Sequence, residues 1–226
     1  MNRADTPAFT PALGHAALTP LYDLAIALMT REQRWRAALV AQIAPHDDDV
    51  ILDVGCGTGS LLMLMARAAP GATLLGLDPD ADVLRRAADK AARSHATLHL
   101  EQGFARDVAA FTARAPSKIV SSLVFHQTSL AEKEAALNAI FHTLRPGGEL
   151  HIADYGLQRT PLMRRLFGII QHLDGVENTT PNAKGVLPEL MREAGFADVT
   201  ERAVVATPTG SISLYFARKP LGGRAG

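Results

Sequence analysis

The segment VILDVGCGTG at residues 50–59 constrains this chain most, because it joins a buried-strand pattern directly to a glycine-rich turn. Its apolar run is short and mostly β-branched, which suits a strand covered on both faces. The glycines that follow permit positive φ and a close approach of backbone to a ligand. Residues 60–67, SLLMLMAR, then read as a helix. Strand, glycine turn and helix form the opening unit of a doubly wound α/β sheet, in which ligands sit outside the carboxyl ends of the strands.

The spacing of the loop narrows the ligand. A dinucleotide site uses GxGxxG, with its third glycine packing helix against strand; here the glycines fall at 55, 57 and 59, and that third position is Ser60. Asp53 lies inside the strand, two places before Gly55, where a pyrophosphate would gain nothing from negative charge and a cation would. A second acid, Asp78, ends the apolar run TLLGLD at 73–78, at the distance in sequence where a carboxylate reaches a ribose diol. Together the two acids describe an adenosine attached to a positively charged group.

DVGCGTG followed by GLD resembles motif I and the acidic strand end of the class I S-adenosylmethionine-dependent methyltransferases, of the small-molecule type found in ubiquinone and menaquinone biosynthesis. The resemblance implies S-adenosylmethionine as cofactor. It also implies that Asp53, Gly55, Cys56, Gly57 and Gly59 wrap the methionine part, with Asp53 near its ammonium. Asp78 would hold the ribose hydroxyls with Pro79 beside it, and Ser121 would border the cofactor from the fourth strand. KIVSSLVFH at 118–126 matches the family's fourth strand, LRPGGELHIAD at 144–154 matches the following turn and fifth strand, and the order of elements fits from about residue 20 to 220. One motif departs. After the third strand the family usually places an acid that receives the adenine amino group, and Phe104 stands there, in QGFA at 102–105. Three readings stay open: Phe104 stacks on the base while backbone near Gly103 and Ala105 supplies hydrogen bonds, Asp107 substitutes, or Phe104 is a core residue.

Composition sets bounds. At 226 residues and 47% hydrophobic, the chain can bury the core of one α/β domain, expected over 19–220, between a mobile start (1–18) and a mobile tail (221–226). Basic and acidic residues balance at 23 each, which argues against nucleic acid as a partner. The single cysteine, Cys56, excludes an intrachain disulfide, suits a reducing compartment, and sits in the loop as packing, with a catalytic thiol as the other option. No apolar run approaches the ~18 residues of a membrane span and the start lacks an apolar signal core, so the expected location is cytoplasmic. No His and carboxylate spacing suggests a metal.

Along the chain, Thr19-Pro20 starts an amphipathic helix, and Thr30 with Gln33 forms a capping box for a second helix, 32–44. In the resembled family such leading helices often cover the cofactor, and Tyr22-Asp23 is similar to a pair seen there; plain packing of Tyr22 is the alternative. Strands near 50–54, 73–78, 97–101, 118–124 and 148–154 alternate with helices, Asp80 and Ser129 supplying caps, which predicts a parallel sheet with right-handed crossovers. A hairpin across 207–210 makes the last strand antiparallel. The expected fold is therefore a doubly wound, Rossmann-like, seven-stranded mixed sheet with helices on both faces. Residues 157–187 form a long, lid-like insertion: a helix over 162–173 that is strongly apolar, then a polar, turn-rich stretch over 174–184. Its apolar face either lines an acceptor pocket or packs on the leading helices or a second subunit.

Methyl transfer from a sulfonium needs alignment and exclusion of water, worth about 7–11 kcal/mol, and a base only where the acceptor must lose a proton. His126, at the carboxyl end of the fourth strand, is the candidate catalytic base; a hydrogen-bonded structural histidine is the competing reading. Tyr155, His172 and Asp174 are weaker candidates, and Asp154 either lines the pocket or caps a turn. The expected partner is a small, partly hydrophobic acceptor such as a quinone precursor, with a homodimer as a further option. No NPPY-type tetrad follows the fourth strand, which disfavours amino-methylation of adenine or glutamine. Two other classes remain: a binding protein that holds the cofactor without turnover, and a nicotinamide-dependent oxidoreductase, which Ser60 and Asp53 oppose.

Overall fold

The computed structural model describes residues 32–222. The first expected helix with Tyr22, Thr30 of the capping box, and the expected mobile start lie outside the described residues, as do 223–226 of the tail. The chain runs through α1 (Glu32–Ile43), β1 (Val50–Val54), α2 (Ser60–Ala68), β2 (Thr73–Asp78), α3 (Ala81–Arg93), β3 (His99–Gln102), β4 (Lys118–Ser122) and α4 (Leu130–Thr143). It continues through β5 (Glu149–Tyr155), α5 (Pro161–Asp174), α6 (Val176–Ala183), α7 (Leu187–Glu193), β6 (Ala197–Thr207) and β7 (Gly210–Arg218), with 3-10 turns at Ala105–Phe111 and Phe125–Gln127.

The strands form one seven-stranded sheet in the order β3-β2-β1-β4-β5-β7-β6. The first five are parallel, and β7 runs antiparallel to both β5 and β6. This is the mixed, doubly wound sheet that the alternating pattern predicts. Because the order reverses between β1 and β4, the crevice at their carboxyl ends is the switch point where such sheets hold ligands.

Side-chain alternation assigns the two faces. Ile51, Leu74, Val120 and Ala153 pack with Trp35, Leu39 and Ile43 of α1 and with α2, while Leu52, Ile119 and Ile152 pack with Leu137 and Ile140 of α4 and with α7. Asp53 shares the face of Ile51 and so points toward α1. Asp80 caps α3 by accepting from the Asp82 and Val83 amides, and Ser129 caps α4 by accepting from the Glu132 amide, as the sequence suggests. At the amino end of the sheet, Lys118 Nζ lies 2.7 Å from Asp49 and 2.9 Å from the Ala44 carbonyl, a buried pair that ties α1 to β1 and β4.

One expectation is corrected. The polar stretch after α5 is not turn-rich: it breaks once, at Gly175 (φ +88°), and resumes as α6. Its polar side chains serve the helix itself, since Thr179 and Thr180 hydroxyls donate to the Gly175 and Val176 carbonyls. Asn182, fully buried, donates to the Tyr155 carbonyl at 3.1 Å. Among the described residues, no helix is long and apolar enough to cross a membrane.

Candidate functional site

All three glycines of the loop adopt left-handed backbone: Gly55 at φ +73°, Gly57 at +51° and Gly59 at +69°. Sterics add to that demand at two of them. A Cβ on Gly55 would lie 2.2 Å from Val124 Cγ2, and one on Gly59 would lie 3.1 Å from Ala87 Cβ on α3. At Gly57, among the described residues, nothing lies within 4 Å of such a Cβ, so there the loop is open to a ligand's approach. The Gly55 and Cys56 amides donate to the Leu77 carbonyl, and Lys90 Nζ holds Thr58 and Ser60 at 3.2 and 2.9 Å, which fixes the loop against β2 and α3. Cys56 is buried against Gly76 and Leu62, and burial pushes its thiol well above its ordinary value, so it packs and is not poised to react.

Asp53 is fully buried, and neither of its carboxylate oxygens has a hydrogen-bond partner among the described residues. Burial pushes it up to about 7; Arg36 pulls it down and Asp78 adds to the rise. Arg36, on α1, is paired with Glu32, yet its Nε is also buried without a partner. The acid and the guanidinium thus act on each other's charge without a hydrogen bond between them. Buried polar groups are rarely left this way, and an arrangement of this kind is suited to a zwitterion placed between them. Sequence reading missed Arg36. The available signal was its helical position, three before Leu39 and seven before Ile43, a charge on the face of α1 that is buried.

Asp78 accepts from the Gly57 amide at 2.8 Å and from the Asp80 amide at 3.0 Å, one donor on each oxygen. Each oxygen keeps a further lone pair for a hydroxyl donor. Pro79 lies beside it, its carbonyl accepting from Gln102 Nε2 at 2.9 Å, and the Gly103 amide donates to the Asp78 carbonyl at 3.1 Å. Phe104 is 36% exposed, which removes the reading that it is a core residue. The Arg106 guanidinium stands 4.6 Å over its ring and pairs with Glu132 at 2.7 Å. Asp107 lies 3.8 Å from Arg106 Nε.

The expected base has a different setting. His126 is buried, with Nδ1 2.8 Å from Asp154 Oδ1 and Nε2 3.3 Å from Asp174 Oδ2. Burial alone would lower its affinity for a proton, but the two acids dominate and raise it to about 9. At neutral pH both ring nitrogens therefore donate, and neither is available to accept a proton. Asp154 is fixed by accepting from the Phe125 amide at 2.7 Å and its neighbour's Tyr155 amide at 2.7 Å, so it both caps the turn and orients His126. Lys133, another residue that sequence reading missed, is buried nearby. Its ammonium donates to the Thr128 carbonyl and, at 2.9 Å, to the Asn178 carbonyl of α6; burial lowers it to about 8 although Asp154 opposes this. Ser121 spends its donor on the Val54 carbonyl at 2.8 Å. Tyr155 is buried with its hydroxyl 2.7 Å from Thr209, and His172 is exposed on α5, so neither joins this cluster as a proton carrier.

Comparison with known proteins agrees with this geometry. A family described as a methyltransferase domain matches residues 51–148. A ubiquinone/menaquinone biosynthesis C-methyltransferase from Syntrophotalea carbinolica is 25% identical over 91% of this chain and 92% of its own length. A demethylmenaquinone methyltransferase from Roseiflexus castenholzii is 28% identical over 81% of this chain and 83% of its own. Among solved structures, human N-acetylserotonin methyltransferase in complex with S-adenosylmethionine superposes with a TM-score of 0.56 at 20% identity, over 76% of this chain; the chain spans about half of that protein, 48%. The sheet order, the acid-flanked glycine loop, the methyltransferase domain matched over residues 51–148 and these relatives support a class I S-adenosylmethionine-dependent methyltransferase.

Proposed function

We propose that this protein transfers a methyl group from S-adenosylmethionine to a small, partly hydrophobic acceptor. The observation that carries the reading is the buried Asp53 carboxylate, without a hydrogen-bond partner among the described residues, in the strand that leads into the glycine loop and within the electrostatic reach of Arg36. These residues fit an amino-acid end: Asp53 takes the ammonium, which relieves its buried charge of isolation, and Arg36, whose Nε has no partner among the described residues, takes the carboxylate. Asp78 uses its remaining lone pairs on the ribose hydroxyls, and the half-exposed Phe104 ring offers a face to the adenine. When bound, S-adenosylmethionine supplies a methyl group activated by a positively charged sulfur.

The chain's own part is then to align and to exclude water. His126 stands past the carboxyl end of β4, and in its charged form it acts as a donor toward the acceptor and not as a base. The acceptor's apolar character is supported by the relatives' names, which concern quinones, and by Leu162, Ile169 and Leu173, which α5 leaves exposed.

Calorimetry on the full chain with S-adenosylhomocysteine and NAD tests the cofactor. Binding of the first alone is expected, with Asp53→Asn weakening it tenfold or more; binding of NAD alone overturns the assignment. Labelled-methyl transfer to demethylated quinols separates an enzyme from a protein that only holds the cofactor.

A further inference from the structure

Away from the glycine loop, buried charge is densest where the β4–α4 turn meets the joint of α5 and α6. Two cations, His126 and Lys133, face two anions there: Asp154 from β5 and Asp174 from α5, with the Tyr155 ring edge-on to His126 at 5.0 Å. The two acids differ in how firmly they are held. Asp154 is fully buried and gripped by backbone amides. Asp174 keeps 28% of its side chain exposed and makes the longer contact, 3.3 against 2.8 Å. It is the last residue of α5, and Gly175, its neighbour, has left-handed backbone with nothing within 4 Å of a would-be Cβ. On either side Leu173 and Val176 are 52% and 62% exposed, an apolar rim around a carboxylate.

Resting on the methyltransferase reading of this site, we propose that Asp174 holds the place of the acceptor's acidic oxygen, which replaces it on Nε2 of His126 as Asp174 turns outward about Gly175. Charge balance selects the acceptor class. With Asp154 fixed, expelling Asp174 for a neutral group leaves two buried cations facing one anion, which is unfavourable. An enolate or phenolate restores the balance, one negative oxygen for another. The acceptor releases its own proton to solvent on ionising, and His126 keeps both of its protons throughout. The oxyanion then enriches the atom that receives the methyl group, and the Leu173 and Val176 rim suits a hydrophobic ring. His126 is the residue that touches the acceptor; Asp174 is a positioning residue that sets its charge and occupies Nε2 until an anion replaces it.

The test uses the full chain saturated with S-adenosylhomocysteine, with 2-hydroxy-1,4-naphthoquinone as the acidic probe and 2-methoxy-1,4-naphthoquinone as its neutral counterpart. Asp174→Ala removes the competitor and leaves the cluster one negative charge short, so the acidic probe should bind it about fivefold or more tightly than wild type and should gain more than the neutral one. Asp174→Asn, nearly isosteric, gives the same comparison if the alanine variant is poorly folded. By NMR, the His126 titration midpoint should fall in Asp174→Asn and return on adding the acidic probe. Equal or weaker binding of the acidic probe to the variants, binding to none of the proteins, or an unmoved midpoint each overturns the proposal. Failure of wild type to bind S-adenosylhomocysteine would instead sink the methyltransferase reading, and the His126 midpoint in the two proteins still reports the Asp174 contact.

Discussion

A carboxyl group buried with both oxygens unpartnered opposes folding whenever it is ionised, and among the described residues Asp53 is in that position. Its folded value near 7 stands above the unfolded value near 4, so the folded state holds the proton more tightly. Stability therefore falls as pH rises from about 4 to about 7, and above that the full penalty, of order 4 kcal/mol, is present. Asp53→Asn should raise stability by about 2–4 kcal/mol at pH 8 and by nothing below pH 4, measured by urea denaturation. A loss of stability at pH 8 would contradict the buried-charge account. On the proposed reading the same variant should bind cofactor worse, the residue trading stability for recognition. Arg36 gives a sharper test of the amino-acid end. Arg36→Met should lose affinity for S-adenosylhomocysteine yet bind 5′-methylthioadenosine, which lacks that end, as wild type does. Equal losses for both ligands would remove Arg36 from the site.

At the scale of elements, α6 stays in place through polar bonds, because its buried residues are Thr179 and Asn182 and not an apolar stripe. Asn182→Leu removes its bond to the Tyr155 carbonyl, at a cost of about 1 kcal/mol. Amide exchange over 176–183 should accelerate about tenfold while β1 and β4 keep their protection; uniform acceleration would show that α6 is not a separate unit. This element also marks where sequence reading stops. Val50–Val54 and Thr73–Asp78 were legible to the residue, since a buried strand ending at a glycine or an acid is a local signal. β4 stops at Ser122 instead of 124, because Leu123 turns to φ +57°. The polarity of 174–184 reads as loop only while its partners, the Tyr155 carbonyl and the Lys133 ammonium, are unseen. Asp53, Asp78 and His126 follow from spacing along single strands. Arg36, Lys133 and the Asp174 contact depend on how α1 packs over β1 and how α6 docks on the 125–128 turn, which no local period encodes.

For the molecule as a whole, charge balances near neutrality, with a pI of about 7.1, so long-range repulsion contributes little slope to stability there. The slope comes from a few buried groups with separate windows. Glu149, held down to about 2 by its His151 and Arg218 bonds against the opposing effect of burial, supports the fold above about 4.5, and that support is lost as pH falls through 2. His126, raised to about 9, supports it fully below about 6.5, and that support is lost as pH rises through 9. Lys133 runs the other way: lowered to about 8 by burial, it opposes folding below 8 and relents between 8 and its unfolded value near 10.5. Above pH 9, Cys56 and Tyr215, both pushed up by burial, enter as well. Between pH 7 and 8, then, the end of the Asp53 titration, which lowers stability, and the first half of the Lys133 titration, which raises it, are similar in size and offset each other, so His126 sets the slope. Wild-type stability should decline across that interval by about 1 kcal/mol, approaching the limit of about 1.4 kcal/mol for one proton per pH unit. In His126→Gln the decline should flatten, whatever the variant's absolute stability. Denaturation midpoints at quarter-unit steps from pH 6.5 to 8.5 decide it: an undiminished slope in the variant would mean that His126 is not the buried cation between Asp154 and Asp174.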